Sequence, residues 1–321
     1  MFNNDKFLIA GGTGFLGSAL VRRLLSEGAH VRATHWQREP NHQHDRLTWQ
    51  RADLRDPAAC AAAVAGVDYV FLAAANTAGA AVITETPLIH VTPNVVMNAH
   101  LLEAAYQAGV KKFLYFSSGA AYPDLGSEHR LAEDDMFRAD PPDVYYPAGW
   151  MKRYTEILCH TYARKIRRPM PTVVIRPSNV YGPGDKFDFA RSHVTAAQIR
   201  RVIERHRPIQ VWGTGDDVRD VIYVDDFIEG VILAFAREAD FLTVNIAAGK
   251  EYSVKDIVRT AIAVDNFEDA EVVFDTTKPQ TIGKRTFDVS LARDLLGFEA
   301  KTSLAEGIRR TIEWYRQTYP S

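Results

Sequence analysis

The stretch IAGGTGFLG sets Gly11, Gly14 and Gly17 between an apolar run and the head of an amphipathic one. Glycines in that order suit a strand, turn and helix that cradle a pyrophosphate. Gly11 allows the tight turn, Gly14 lets backbone approach the phosphates, and Gly17 lets helix and strand pack closely. The uncapped amides at the positive end of the helix would then face the anion. Such a loop binds a dinucleotide, and a nicotinamide dinucleotide brings hydride chemistry with it.

The second strand, HVRAT, should end over the adenosine ribose, where an acidic side chain would hold the 2′-hydroxyl of NAD. Thr34, His35, Trp36, Gln37 and Arg38 stand there instead. Arg38, with His35, suits the 2′-phosphate of NADP, so NADP is favoured over NAD. The following RADLRD supplies Asp53 and Leu54 at the adenine edge. Other reactive groups have plainer explanations. Asp225 and Asp226 precede an apolar helical run and are expected to cap it. His35, His42 and His44 lie in a polar loop without cysteines nearby, so no metal is expected. The charges of ARKIRRP suit the negative end of a helix.

Parallel strands must hold the glycine loop in place. KFLIAG, HVRAT, DYVFLAA, KKFLYFSS and TVVIRP alternate with the helical patterns LGSALVRRLLSEG, AACAAAVAG and NVVMNAHLLEAAYQAG. That rhythm predicts an α/β fold, a Rossmann-type doubly wound parallel sheet covered on both faces. Gly28, Gly66 and Gly109 fall where helices should end. After Pro177 the rhythm loosens, and RDVIYVDDFIEGVILAFA reads as one more strand and helix of the sheet. The expected division is a dinucleotide-binding domain over residues 1–175, rejoined by 218–240, and a smaller C-terminal substrate-binding domain from 176–217 and 241–321.

The chain has 321 residues, 46% of them hydrophobic, enough for a large core. With 38 basic and 40 acidic side chains its net charge is −2, which offers no field to draw nucleic acid or anionic lipid. Cys60 and Cys159 lie far apart, suggesting neither disulfide nor zinc site. MFNNDKFLIAGG has no basic stretch leading into a long apolar core, and no run is long enough to span a membrane, so a cytoplasmic protein acting on small molecules is expected.

GGTGFLG, FLAAANTAG, FSSGAAYP, the helix carrying Lys152, RPSNVYGPGD and VWGTGDDVRDVIYVDD follow one another over nearly the whole chain. In that order they resemble the extended short-chain dehydrogenase/reductase superfamily, in its branch of NAD(P)-dependent sugar-nucleotide epimerases, dehydratases and reductases. NVYGPGDKFDFARSHVTAAQIRR is similar to the corresponding segment of GDP-L-fucose synthases, which epimerise and reduce a GDP-4-keto-6-deoxyhexose. The resemblance implies a nucleoside-diphosphate sugar as substrate and a homodimer built on helices near 95–108 and 148–165. It places Thr13, Phe15, Leu16, Ala73, Ala74, Ala75, Ser117, Pro177, Asn179 and Val180 beside the cofactor, with Asn179 and Val180 near the nicotinamide. Ser118 would hold the sugar C4 oxygen, with Tyr122 nearby. Lys152 would bridge the nicotinamide ribose hydroxyls, and His193 would serve as acid and base at a ring carbon. Arg201, Trp212 and Arg219 would contact the nucleotide sugar.

Two positions depart from that pattern. Ala120 stands where the fucose synthases carry a cysteine partner for the histidine, which weighs against double epimerisation at C3 and C5. Ala148 stands four residues before Lys152, where the pattern places the acid/base tyrosine; that spacing sets phenol and ammonium side by side on a helix. Three accounts stay open: an introduced Tyr→Ala replacement, another proton donor such as His193 or Tyr122, or a non-catalytic NADP-binding sensor or scaffold. A scaffold would have been expected to lose Ser118 and Lys152 too. The expected function is epimerase or reductase action at C4 of a 4-keto-6-deoxy sugar nucleotide, impaired in this form, with a 4,6-dehydratase as the alternative.

Overall fold

The computed structural model describes residues 2–77, 86, 88–189, 192–278 and 282–320. Ala78 and Gly79 of the FLAAANTAG motif, and residues 279–281 of TTKPQTIGKR, lie outside these. The chain runs β1 (Lys6–Ala10), α1 (Phe15–Ser26), β2 (His30–His35), β3 (Leu47–Arg51), α2 (Pro57–Val64), β4 (Tyr69–Leu72), α3 (Leu88–Gln107) and β5 (Lys112–Phe116). It continues through α4 (Tyr146–Arg164), β6 (Thr172–Pro177), β7 (Asn179–Tyr181), α5 (Val194–Ile203), β8 (Ile209–Trp212), β9 (Val218–Arg219) and β10 (Val221–Tyr223). The last part holds α6 (Val224–Ala236), β11 (Phe241–Ile246), β12 (Tyr252–Ser253), α7 (Val254–Val264), β13 (Val272–Asp275), β14 (Lys284–Arg285), α8 (Ser290–Leu296) and α9 (Leu304–Thr318).

Seven parallel strands form the central sheet in the order β3-β2-β1-β4-β5-β6-β11. This is a Rossmann-type sheet, and its order reverses between β1 and β4, where such folds bind ligands at the carboxyl ends of the strands. Strand periodicity covers both faces. Phe7 and Ile9 of β1 enter one core with Leu20 and Leu24 of α1, while Leu8 and Ala10 enter another with Leu101 and Leu102 of α3. The helices end where expected: Gly28, Gly66 and Gly109 have φ of 84°, 70° and 72°, the left-handed region that glycine enters freely.

Three details differ from expectation. β10 does not join the sheet but pairs in parallel with β7, whereas β11, from the stretch assigned above to the smaller domain, adds the seventh strand. Asp225 and Asp226 do not cap α6, whose N-cap is Tyr223; they sit in its first turn, and Asp226 accepts from the amides of Lys301 (3.1 Å) and Thr302 (2.7 Å). Helix α3 starts at Leu88, six residues before the expected Asn94, and runs through Pro93. A proline there cannot donate to the carbonyl of Ile89, and Asn76 Nδ2 donates to it instead at 3.0 Å.

The remaining elements pair outside the large sheet, as β12-β9-β14 and as β13 with β8. Val202 of α5, Ile257 of α7 and Ile308 of α9 share the hydrophobic cluster that contains Phe7 and Leu24, so one core underlies both parts. Among the described residues no helix is long and apolar enough to cross a membrane.

Candidate active site

β1 delivers the chain into the glycine loop at the switch point. Gly11 has φ of +86°, and a Cβ there would stand 2.6 Å from Ala74 Cα, so both conformation and room demand glycine. A Cβ on Gly17 would fall 2.1 Å from the carbonyl oxygen of Gly11. Thr34, at the end of β2, secures the loop: its Oγ1 accepts from Gly11 N at 2.9 Å and its carbonyl from Gly12 N at 2.8 Å. Gly14 is the N-cap of α1 and brings no side chain, and the first turn holds no acidic residue. The positive helix end is thus left for an anion. Thr13, Phe15 and Leu16 line this turn half-buried, Ala73 and Ala74 are half-buried after β4, and Ala75 is exposed.

Arg38 is exposed, and its Nη1 donates to the carbonyl of Thr13 at 3.2 Å, which draws the guanidinium across the phosphate loop. At the neighbouring end of β3 the Arg51 guanidinium lies 5.1 Å from the centre of the Trp36 ring. Asp53 pairs with Arg55 at 2.6 Å, and that bond holds its carboxyl below the usual carboxylate range. Leu54 is buried in the core, so only its backbone can face an adenine.

The second cluster forms where β5 meets α4. Ser118 follows the strand, and its Oγ accepts from the amide of Ala120 at 3.1 Å while keeping a hydroxyl proton to donate. Lys152 sits on α4 behind this turn, its Nζ donating to the carbonyl of Phe116 at 2.8 Å and lying 5.0 Å from the Tyr115 ring centre. Burial pushes the ammonium pKa down to about 8, opposed by the nearby Glu156 charge. Ala148, one turn earlier, is half-buried. Ser117 faces the other way: its hydroxyl donates to Glu156, so its side chain is not offered to a cofactor. Tyr122 also leaves the predicted surface. It is fully buried, donates to Asn245 Oδ1 at 2.6 Å and accepts from Arg176 at 3.1 Å, which removes it as substrate contact or proton donor.

On the far side of β6, Pro177 ends the strand and Asn179 Nδ2 donates to the carbonyl of Asp220 at 3.1 Å, with Val180 half-buried beside it. His193 is the N-cap residue of α5. Burial, and then the Lys186 charge, hold its imidazole below the usual range, which favours the neutral ring. Arg201 stands 4.7 Å from the Phe189 ring centre, and Trp212 is 51% exposed at the end of β8. Arg219 pairs with Asp217 at 3.3 Å.

Sequence reasoning missed Arg285, which lies opposite Arg219 in the β9–β14 pairing. It is 8% exposed and donates to the carbonyls of Gly119 (2.7 Å) and Tyr122 (3.4 Å). It also missed Asp220, whose carboxylate accepts from the amides of Ala248 and Gly249 while burial pushes its pKa up to about 6. No motif marked Arg285, which sits in a turn-rich stretch whose partners are distant in the chain, while Asp220 lies inside VWGTGDDVRDVIYVDD but was passed over for its neighbour Arg219.

A switch-point glycine loop, a hydroxyl at the end of β5 and a half-buried lysine on the next helix define a dinucleotide-binding protein of the short-chain dehydrogenase/reductase class. The chain belongs to the NAD dependent epimerase/dehydratase family, which it matches over residues 7–247. It is 30% identical to GDP-mannose 3,5-epimerase 1 of Oryza sativa subsp. japonica, covering 97% of this chain and 82% of that enzyme. It is 29% identical to GDP-L-fucose synthase 1 of Arabidopsis thaliana, covering 97% and 93%. Among solved structures, the UDP-glucose 4-epimerase of Thermotoga maritima with UDP-glucose superposes with a TM-score of 0.87 at 26% identity, covering 98% of this chain and 99% of that one.

Proposed function

We propose that this protein is a cytoplasmic NADP-using enzyme that works at C4 of a nucleoside-diphosphate hexose, reducing a 4-keto-6-deoxy sugar there or epimerising a 4-hydroxy sugar by oxidation and re-reduction. The observation that carries this is Lys152, half-buried and anchored to Phe116 directly behind the Ser118 turn. An ammonium there serves the nicotinamide ribose, and the Ser118 hydroxyl donates to the C4 oxygen. The cofactor, when bound, supplies hydride exchange at C4. Thr13, Gly14 and the head of α1 hold its pyrophosphate, and Arg38 takes its 2′-phosphate. Arg219 and Arg201 meet the sugar diphosphate, Trp212 covers a base or sugar face, and His193 moves a ring-carbon proton.

With Ala148 the chain lacks the phenol expected beside Lys152, so tight binding with slow turnover is the expected behaviour. The test is calorimetric titration with GDP-, UDP-, CDP- and dTDP-hexoses, followed by assay of Ala148→Tyr. A phenol restored at this position should raise turnover by about 100-fold or more, the usual scale of acid/base catalysis. Cofactor binding with none of the sugar nucleotides bound would favour a scaffold of the same fold and end the enzyme reading. Net oxidation of the cofactor marks a reductase; an epimerase returns the hydride.

A further inference from the structure

With residue 148 unable to move a proton, another group must serve the C4 oxygen if this chain turns over at all. Its neighbourhood contains several phenols, and the structure sorts them. Tyr122 is buried and engaged with Asn245 and Arg176. Tyr181 is buried with its hydroxyl towards the carbonyl of Leu304. Tyr115 is fully buried beneath Lys152. Tyr146 is 46% exposed, its ring against Trp150 on the outer side of α4.

Tyr145 differs from all of these. It is half-buried at the N-cap of α4, one turn before Ala148, and its ring centre lies 6.0 Å from the guanidinium carbon of Arg285. That guanidinium donates to the carbonyl of Gly119, the residue after Ser118. The first turn of α4 is pressed onto the same turn: a Cβ on Gly149 would stand 3.5 Å from Ala121 Cα. Arg285 Nε is buried with no hydrogen-bond partner, and no carboxylate lies within ion-pair distance of Arg285 among the described residues. A buried cation without an ion-pair partner is costly; the Asp124 charge acts on it only from farther away, and an anion formed at Tyr145 would offset the rest of that cost.

We propose that Tyr145, with Arg285 beside it, is the proton donor and acceptor for the C4 oxygen in this chain; the proposal rests on the enzyme reading above. In the reductive direction the bound cofactor would supply hydride to C4, and the carbonyl π pair displaced onto oxygen would need a proton. The Tyr145 hydroxyl gives its proton to that oxygen, leaving a phenolate next to Arg285 that water reprotonates. Oxidation reverses each transfer.

The test compares the chain as it stands, Tyr145→Phe, Ala148→Tyr and the double variant, following nicotinamide absorbance with a 4-keto-6-deoxy sugar nucleotide and measuring sugar-nucleotide affinity separately. Tyr145→Phe should lower kcat by about 100-fold or more with KM and binding unchanged. In the Ala148→Tyr background the same substitution should change kcat less than about threefold, because the phenol at 148 has taken over. An unchanged rate in Tyr145→Phe overturns the proposal. So does a parent chain that never transfers hydride while Ala148→Tyr does, an outcome that leaves the enzyme reading intact. Absence of binding and turnover in every variant overturns both.

Discussion

The chemistry of the site turns on a few side chains whose neighbours matter as much as their types. Lys152 carries the clearest pH signature. Its folded-state pKa is pushed down to about 8 by burial, below that of a free lysine, so its proton leaves as pH climbs through that value. The charged form is the one that donates fully to ribose hydroxyls. Cofactor affinity should therefore be flat below pH 8 and weaken above it, measured by fluorescence titration, while Lys152→Met should bind weakly with no such break. Unchanged affinity through this range would place Lys152 away from the cofactor. Gly11 and Gly17 were legible because their demands are local: a positive φ and a contact that no side chain survives. Ser117 and Ser118 were harder to separate. Adjacent residues leaving a strand point to opposite sides, and only the packing of α4 shows that Ser117 turns to Glu156. Tyr122 was misassigned for the same reason, since a buried Arg176 far along the chain captures its hydroxyl.

At the scale of elements, the site depends on how α4 is fastened to the sheet. Glu156, one turn after Lys152, pairs with Arg176 of β6 at 2.6 Å, and both side chains are at least 97% buried. Arg176 passes the connection on to Tyr122 and to the carbonyl of Glu133 at 2.6 Å. Glu156→Gln should leave Arg176 charged and uncompensated in the interior, a loss of roughly 3–5 kcal/mol measured by urea unfolding. Losing the Glu156 charge also removes what keeps the Lys152 value from falling further, so the pH break in cofactor affinity should move to lower pH. Stability within about 1 kcal/mol of the parent would mean that the pair is not what holds α4. The alternation of strands and helices was readable because the apolar period changes with each element. The pairing of β10 with β7 was not, because three apolar residues in a row fit a central or a peripheral strand equally.

For the whole molecule, the apolar residues left outside the core are arranged, not scattered. Tyr146, Trp150, Tyr154 and Ile157 on α4 are 46%, 37%, 49% and 47% exposed, and spacings of four, four and three place them on one face. Leu88 and Ile89, at 70% and 53%, stand exposed at the start of α3, which packs beside α4 against the same side of the sheet. A contiguous stripe of this kind on a soluble protein marks an interaction surface, and an isologous contact between two copies covers it twice with one set of residues. The homodimer expected from the resemblance would therefore use this face. Trp150→Glu, which sets a charge in the middle of the stripe, should shift the protein from dimer to monomer by sedimentation velocity. Because Trp150 covers the buried guanidinium of Arg153 at 5.0 Å, some loss of thermal stability should accompany the dissociation. Cofactor affinity should stay within about twofold of the parent, since the phosphate loop belongs to one chain. A parent protein that sediments as a monomer would remove this face as a contact between copies.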